Sequence, residues 1–349
     1  AHRVLAIAKG LRDSGNEVVF MGVSKDNRET DVLKTKSEVQ GFITYSVPYP
    51  QGNSDWVKYL TDPKPAEKLM KVCGPFDGVI CYNYQAVAFD RLRKFCRANK
   101  IKIYSDCTEW YNTNGASLPF KILKGFDTWY RMTVVQKKLD GIIAISNYLK
   151  NYYKSCKNVV VIPPLVDFCE EKWSVEAENL GEGVNFIYSG QPGKKDKIGE
   201  IVTAFSKVAE NGNCKLFVVG INKEQFLKSN PQFTASVAFL GRVPHEQSIA
   251  YLKGADCSLI IRDSTRTNNA GFPTKFAEAV TVGVDVIATD ISDLKIYSKK
   301  SNNVMIVEET LEETMAKFAS VMPREKKERK LCDLFDYRKW TKNIEALIG

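Results

Sequence analysis

Residues 271–278 read Gly271-Phe272-Pro273-Thr274-Lys275-Phe276-Ala277-Glu278, and they lie between an apolar strand pattern at 257–261 and a helical pattern. Proline suits the first turn of a helix, where its missing N–H costs little, and Gly271 is predicted to turn the backbone through positive φ. The next backbone amides would point out of the positive end of the helix dipole; they belong to Thr274, Lys275 and Phe276. A helix start of this kind predicts a bound phosphate.

Glu278 lies one turn into the same helix, where acidic residues of dinucleotide-binding folds accept hydrogen bonds from the two ribose hydroxyls. An ordinary loop and helix cap with a solvated glutamate explains this segment equally well. The residues that follow favour the first interpretation, because Gly283 ends the helix and residues 284–289 read as the next buried parallel strand. The order strand, anion loop, helix, strand indicates a nucleotide diphosphate site.

The segment resembles the donor-site signature of the retaining glycosyltransferases of family GT4. The family pattern is glutamate, glycine and phenylalanine, with a second glutamate eight positions after the first. Glu278 matches the second glutamate, whereas Ala270 stands at the first position, whose glutamate in the family contacts the transferred sugar. The resemblance implies an α/β protein with the GT-B fold, in which two Rossmann-like parallel-sheet domains face a central cleft. It also implies a nucleotide-diphosphate sugar as donor substrate, with no cofactor and no metal.

A second glycine loop follows the strand pattern at 185–189. Gly190 is followed by Gln191, and Lys195 lies four residues further on. In the family this loop carries a basic pair; Lys195 matches its lysine and Gln191 replaces its arginine. A solvated basic turn would explain this loop alone, but the carboxyl ends of neighbouring parallel strands line one crevice, which favours a joint anion site with residues 271–278.

The resemblance assigns a role to each part of this predicted donor site. The phosphate is expected at Lys195, Thr274 and Lys275, the ribose at Glu278, and the sugar at Gly271, Phe272 and the Arg262-Asp263 loop. Arg242 and Val243 are expected against the base, although ordinary packing explains them nearly as well. The full set of predicted donor-binding residues is Gly190, Gln191, Lys195, Arg242, Val243, Arg262, Asp263, Gly271, Phe272, Pro273, Thr274, Lys275 and Glu278.

Acid and base chemistry has few candidates. The chain has two histidines, His2 and His245, which cannot form a catalytic triad or a metal cluster, and it lacks an Asp-x-Asp motif. We therefore expect metal-free chemistry, in which helix dipoles and lysines stabilise the departing diphosphate. Where the family often has a histidine, this chain has Asp106 and Glu109, which would bind or polarise an acceptor hydroxyl; a helix cap or an ion pair is the other interpretation. The predicted catalytic set is Asp106, Glu109, Lys195 and Glu278.

The length of 349 residues suits two domains. We predict an acceptor-binding Rossmann-like domain at 1–168, a nucleotide-sugar-binding Rossmann-like domain at 169–334, and a C-terminal helix at 335–349 that crosses back to the first domain, as the resemblance implies. The first element, at 4–14, reads as a helix. Because the family places a strand and a glycine-rich loop before such a helix, the first strand is expected to be missing.

Charge is divided unevenly along the chain: residues 1–165 hold 25 Lys and Arg against 15 Asp and Glu, and the rest hold 25 against 26. This asymmetry predicts contact with an anionic surface, although a solvated helix face is an alternative. No nucleic-acid reader motif is present, so we expect an anionic membrane, bound without insertion, and no nucleic acid. No apolar run of about 18 residues and no signal peptide are visible, and nine cysteines lack paired spacing. Together these features predict a cytoplasmic protein, peripheral at the inner face of the membrane.

The function predicted from these features is that of a retaining, metal-independent glycosyltransferase of EC 2.4 type. It would move a sugar from a nucleotide diphosphate to a glycan or lipid-linked acceptor in bacterial-type surface polysaccharide or glycoconjugate synthesis. A noncatalytic GT-B subunit that partners an active transferase is the main alternative, favoured by Ala270, Gln191 and the missing histidine. Lys195 and Glu278 argue against it. A sugar-nucleotide epimerase would need more acid and base residues than this site offers.

Overall fold

The computed structural model describes residues 2–111, 118–193, 195–210, 213–231, 237–321 and 329–349. The chain divides into two compact units. The first unit is Ala1–Pro163 with Trp340–Gly349, and the second unit is Pro164–Lys339. The sequence-based boundaries at 168/169 and 334/335 lie five residues from these divisions.

The first unit contains two sheets. Their strands are β1 (Val19–Ser24), β2 (Ser37–Val39), β3 (Phe42–Pro48), β4 (Gly78–Tyr82), β5 (Lys102–Cys107), β6 (Gly141–Ala144) and β7 (Val159–Val161). One sheet has the order β1-β3-β2 and the other β4-β5-β6-β7. All pairs in the second sheet are parallel, but β2 runs antiparallel to β3, which corrects the expectation of purely parallel pairing. The reason is that β2 and β3 are joined by a two-residue turn in which Gln40 and Gly41 both have positive φ.

Six helices of the first unit precede β7. They are α1 (His2–Asp13), α2 (Asn53–Thr61), α3 (Lys64–Cys73), α4 (Ala86–Ala98), α5 (Leu118–Tyr130) and α6 (Asn147–Tyr152). Helix α4 shows how its sequence fixes its position, because Phe89, Leu92 and Cys96 recur at helical spacing and all three are buried against β4 and β5. Ser146 caps α6, accepting a hydrogen bond from the Leu149 amide at 3.3 Å.

The second unit is built on one six-stranded parallel sheet with the order β10-β9-β8-β11-β12-β13. Its strands are β8 (Val184–Tyr188), β9 (Cys214–Val219), β10 (Ala238–Gly241), β11 (Cys257–Ile260), β12 (Asp285–Ala288) and β13 (Val304–Ile306). Its helices are α7 (Ile198–Ala209), α8 (Lys223–Leu227), α9 (His245–Gly254), α10 (Arg266–Ala270), α11 (Thr274–Thr281), α12 (Leu294–Ser298) and α13 (Leu311–Val321). Strands β8 and β11 read as apolar runs because they lie at the centre of the sheet, where both faces are covered.

The chain returns to the first unit through α14 (Thr341–Ile348), which packs on α1, β6 and β7. Residues 335–339 belong to the second unit because they are hydrogen-bonded to the segment that follows Pro164. The Val166 amide donates to the Phe335 carbonyl at 2.9 Å, and the Tyr337 amide donates to the Val166 carbonyl at 3.0 Å. These bonds hold residues 164–168 and 335–339 together in the second unit.

The lengths of the helices and the state of the cysteines can be compared with the sequence predictions. No helix of the described residues is both long enough and apolar enough to cross a bilayer. All nine cysteines are free thiols.

Candidate active site

Helix α11 begins as the sequence predicted. Pro273 occupies the N-cap position in extended backbone, and Thr274 is the first helical residue. The Phe276 amide donates to the Pro273 carbonyl at 3.0 Å. Among the described residues, the amides of Thr274 and Lys275 have no hydrogen-bond partner. Two unpaired donors at the positive end of a helix are suited to an anion.

Gly271 does not adopt the positive φ expected from the sequence, so that prediction was wrong. The reason is that α10 intervenes between β11 and α11, and the chain leaves it in extended backbone, with φ −83° and ψ −172° at Gly271. Any residue can adopt this conformation. The turn toward α11 is therefore made by a short helix rather than by a left-handed glycine.

Gly190 follows β8 with a φ of +111°, a backbone conformation that favours glycine. A Cβ atom at Gly190 would lie 2.7 Å from the Lys275 Cε. A Cβ atom at Gly220, which follows β9, would lie 2.5 Å from the Gly190 carbonyl carbon. The loops after β8 and β9 and the start of α11 are thus in direct contact at the carboxyl edge of the sheet.

Lys275 is the central cation of this edge. Its Nζ hydrogen-bonds the Tyr188 hydroxyl, lies 3.8 Å from the centre of the Tyr188 ring, and lies 3.7 Å from the Asp196 Oδ2. Burial lowers the pKa of Lys275 to about 8, with the attraction of Asp196 acting in the opposite direction. Part of this ammonium charge is therefore lost just above neutral pH.

Asp196 joins Lys275 to a second cation. The Arg262 Nε lies 2.8 Å from the Asp196 Oδ1, and the Gly193 amide donates to the Oδ2 at 3.1 Å. Burial alone would raise the pKa of Asp196, but Lys275, Arg262 and the Gly193 amide hold that pKa below its ordinary value. Lys275 and Arg262 thus share the Asp196 carboxylate beside the free amides of α11, and the charge of Glu278 also attracts Lys275.

Glu278 faces His245, the first residue of α9. The His245 Nε2 lies 3.1 Å from the Glu278 Oε1, and both side chains are partly exposed. This hydrogen bond raises the pKa of His245 against the opposing effect of burial. Arg242 and Val243 lie just before α9, in the loop that follows β10; Arg242 is exposed and Val243 half-buried.

The first unit carries its own polar cavity at the carboxyl ends of β4 and β5, with Asp106, Glu109 and Arg131 in its lining. Asp106 is already paired. The Arg3 Nε lies 3.1 and 3.0 Å from its two carboxylate oxygens, and the Arg3 Nη2 lies 2.9 Å from the Oδ1. Arg3 also donates to the Ile162 carbonyl at 2.8 Å. This pair holds the start of α1 to the ends of β5 and β7.

Arg131 is the residue of this cavity that the sequence did not reveal. It opens a π-helical turn directly after α5, and its side chain is 3% exposed. Among the described residues, its Nη2 has no hydrogen-bond partner, and its guanidinium lies 4.8 Å from the centre of the Tyr111 ring. Burial and the charge of Glu109 raise the pKa of Tyr111. A buried, unsatisfied guanidinium and a nearby carboxylate form a site suited to a polar ligand.

Comparison with known proteins finds a family match in the second unit. Residues 170–333 match the family model described as Glycosyl transferases group 1. The second unit is therefore similar to a group 1 glycosyl transferase domain. This result confirms the GT4 resemblance at the level of the family group. No curated protein sequence matches the chain.

Solved structures agree in fold over nearly the whole length. Sucrose-phosphate synthase from Thermosynechococcus elongatus has a TM-score of 0.65 at 12% identity, covering 99% of this chain and 87% of its own. A structure described as trehalose-6-phosphate from E. coli bound with UDP-2-fluoro glucose has a TM-score of 0.68 at 10% identity, covering 100% and 96%. A trehalose-6-phosphate synthase studied for glycosyltransfer with retention has a TM-score of 0.64 at 11% identity, covering 99% and 92%. These likenesses confirm the predicted GT-B fold.

Four other residues that were predicted to bind the donor differ in their exposure and in their contacts. Gln191 is exposed, and Lys195 is half-buried beside Asp196 in the chain. The Phe272 side chain packs on Phe276, Tyr297 and Phe335 in the core. The Asp263 carboxylate is 60% exposed and lies 3.0 Å from the Lys197 Nζ. A sugar would therefore contact the backbone atoms of Phe272 and Asp263, or a side chain that has left its present partner.

Ala270, which replaces the family glutamate, is fully buried in α10. Its neighbours Asn268 and Asn269 fix the surrounding loop: the Asn268 Nδ2 donates to the Asp263 carbonyl at 2.8 Å, and the Asn269 Oδ1 accepts from the Ser292 amide at 3.0 Å. Across the described part of the chain, no group of three or more His, Cys, Asp and Glu side chains is arranged to hold a metal ion. Metal-independent chemistry remains a prediction.

Proposed function

We propose that this protein transfers a sugar from a nucleotide diphosphate donor, and that the donor diphosphate binds at the start of α11. The observation that carries the proposal is the pair of unpartnered amides at Thr274 and Lys275, which lie beside the two cations Lys275 and Arg262. Helix dipole, free amides and cations act together on a diphosphate. The same groups would stabilise the charge that develops on the diphosphate as the sugar leaves.

Different residues around α11 make the remaining contacts with the donor. Glu278 accepts hydrogen bonds from the ribose hydroxyls, and His245 orients its carboxylate from the start of α9. The base lies along Arg242 and Val243, and the Arg262-Asp263 loop and the Gly271 backbone face the sugar. Lys195 adds charge to the phosphates from the loop after β8. This arrangement holds the donor without a metal ion, and we propose transfer with retention.

The acceptor is held by the first unit, at the cavity that contains Glu109 and Arg131. Arg131 supplies an unpaired guanidinium nitrogen for an acceptor oxygen, and Glu109 is the second carboxylate in the lining of the cavity, which would accept the proton of the reacting hydroxyl. Asp106 positions the cavity through Arg3 and does not need to contact the acceptor. The acceptor is a glycan or a lipid-linked glycan of surface polysaccharide or glycoconjugate synthesis, presented at an anionic membrane on the cytoplasmic side.

A noncatalytic GT-B subunit is the second candidate function. Two observations favour it: Ala270 is buried where the family has a glutamate, and Asp106 is fully engaged by Arg3. A subunit of this kind would retain nucleotide binding without sugar transfer. The two functions therefore differ in products and not in affinity.

The test combines binding and product analysis of the full-length protein. Calorimetry with UDP, GDP, ADP and dTDP should show binding of at least one of them, and mass spectrometry of reactions with nucleotide sugars and lipid-linked acceptors should show a glycosylated product. Binding without any product would favour the noncatalytic subunit. Absence of binding to every nucleotide would remove both functions.

The pKa of Lys275 predicts the pH dependence of donor binding. The charged ammonium binds the diphosphate, and its pKa in the free protein is about 8. Raising the pH through that value discharges Lys275, so diphosphate affinity should fall by up to about tenfold for each pH unit above it. Calorimetry between neutral and alkaline pH measures the slope. Lys275→Arg, which stays charged, should bind with a flatter profile. An equal slope in both proteins would assign the pH dependence to another group.

Glu278 predicts selection for the ribose hydroxyls. Glu278→Gln keeps the shape but loses the charged acceptor, so the preference for a ribonucleoside diphosphate over its 2′,3′-dideoxy form should shrink by about 1.5 to 3 kcal/mol. Competition binding measures this preference. Glu246→Gln, an exposed change on α9 beside His245, should retain the preference. If wild type and Glu278→Gln discriminate equally, the carboxylate does not contact the ribose.

A further inference from the structure

Helix α5 exposes its large apolar side chains. Six of them are between 48% and 71% exposed: Leu118, Phe120, Ile122, Leu123, Phe126 and Trp129. Leu118, Ile122, Phe126 and Trp129 follow one another at spacings of four, four and three residues, so they form one continuous stripe along the helix. An exposed stripe of this size is uncommon on a soluble protein and indicates an interaction surface.

The buried side of α5 is polar, which is the reverse of an ordinary surface helix. Asp127 and Thr128 are 8% and 5% exposed. The Asp127 Oδ1 accepts a hydrogen bond from the Ala86 amide at 2.7 Å, which fixes α5 to the start of α4. Because this polar contact fixes the orientation of the helix, the apolar stripe is held outward.

Charge around the stripe has one sign. The two acidic residues of α4 and α5, Asp90 and Asp127, are both buried. The exposed charged residues of these helices are all basic: Arg91, Lys94, Arg97 and Lys121. Lys94 lies next to the end of α5, because its Nζ and the Tyr130 hydroxyl both reach the Asp90 Oδ2, at 3.1 and 3.2 Å.

We propose that the apolar stripe of α5 inserts into the headgroup boundary of an anionic bilayer, with the basic residues of α4 and α5 on the lipid headgroups. A row of Leu, Ile, Phe and Trp beside Lys and Arg is the composition of helices that lie in a membrane interface. Insertion goes beyond the purely electrostatic contact expected from net charge, because apolar burial does not weaken with salt. It is independent of the transfer chemistry of the second unit.

The position of α5 relates the proposed membrane contact to the cavity of the first unit. The loop that carries Glu109 precedes the helix, and Arg131 follows its last residue. Docking the stripe on a bilayer therefore brings the cavity of the first unit to the membrane surface, where a lipid-linked acceptor presents its glycan.

Vesicle sedimentation of the full-length protein tests the insertion. Wild type should bind vesicles of phosphatidylcholine with phosphatidylglycerol, and part of that binding should survive an increase from about 0.1 M to about 1 M salt, where the Debye length falls from roughly 10 Å to roughly 3 Å. Replacing Leu118, Ile122 and Trp129 together by serine should reduce the salt-resistant binding at least tenfold. Val72→Ser, an exposed apolar change on α3, is the matched control and should bind as wild type does.

A second measurement uses the native side chain. Lipids with brominated acyl chains should quench the fluorescence of vesicle-bound wild type, and Trp129→Phe, which keeps the stripe apolar, should lose most of that quenching. Binding that high salt abolishes completely, or a triple variant that binds like wild type, would overturn the proposal. A wild-type dimer that the triple variant converts to monomer, without vesicle binding, would instead assign the stripe to contact between copies. Nucleotide affinity of the variants, measured in parallel, separates these outcomes from failure of the proposed transferase function.

Discussion

Lys275→Ala is expected to weaken nucleoside diphosphate binding by about 1.5 to 3 kcal/mol, or roughly ten- to 150-fold in Kd. The substitution removes the ammonium that we propose to contact the phosphate. It also leaves Asp196 with Arg262 as its remaining cationic partner, so that the buried carboxylate repels the incoming anion. The loss should therefore exceed that of an exposed lysine in the same unit.

Calorimetry with the best-binding nucleoside diphosphate measures the effect. Lys207→Ala is the matched control, because Lys207 is exposed on α7 and pairs with Glu312 on α13, away from the α11 start. Lys275→Arg should recover part of the affinity through its retained charge. Full affinity in Lys275→Ala would mean that the diphosphate binds elsewhere.

Arg3→Ala is expected to destabilise the first unit by about 3 to 5 kcal/mol. The Arg3 and Asp106 side chains are 10% and 2% exposed, so removing the guanidinium leaves a buried carboxylate without its cation. The five hydrogen bonds by which Arg3 ties α1 to the ends of β5 and β7 are lost with it. The melting temperature of the first unit should fall by roughly 10 °C.

Thermal unfolding followed by circular dichroism checks this expectation. The double variant with Asp106→Asn should recover part of the lost stability, because it removes the uncompensated charge. Lys68→Ala, which breaks an exposed pair with Asp31, should change little. Unchanged unfolding in Arg3→Ala would show that the pair does not hold α1, and nucleotide affinity of the second unit should remain at the wild-type value throughout.

Local chemistry explains which parts of the site could be predicted from the sequence. Pro273 and Thr274 mark the start of α11 through properties of proline and of helix ends, which need no distant partner. The positive φ expected at Gly271 was wrong because α10 is a five-residue polar helix, Arg266–Ala270, with no apolar periodicity to reveal it. Strands β2 and β13 are each three residues long, which is too short to show a periodic pattern in the sequence.

Contacts between distant residues explain the rest. Asp196 meets Arg262 and Lys275, which are 66 and 79 positions away, so nothing in its own loop distinguishes it from a solvated acid. Arg131 reads as one more basic residue of a basic first half, and its burial is set by the packing of α5 and Tyr111. The α5 stripe was present in the sequence as spaced apolar residues, but such spacing ordinarily indicates a buried face. The direction of that face depends on the polar contact of Asp127 with α4.

Helix α14 has a consequence for biosynthesis. Its Ile344 and Leu347 are buried in the first unit, and a Cβ atom at Gly141 would lie 2.6 Å from the Leu347 Cδ1, so the helix fills a fitted position on β6. Residues 340–349 leave the ribosome after the whole of the second unit has been synthesised. Protein synthesis adds about 5 to 20 residues per second, so α14 is made roughly ten seconds or more after the rest of the first unit. By then the second unit already has all of its own strands. The half of the protein that is translated second is therefore the half that can complete its fold first.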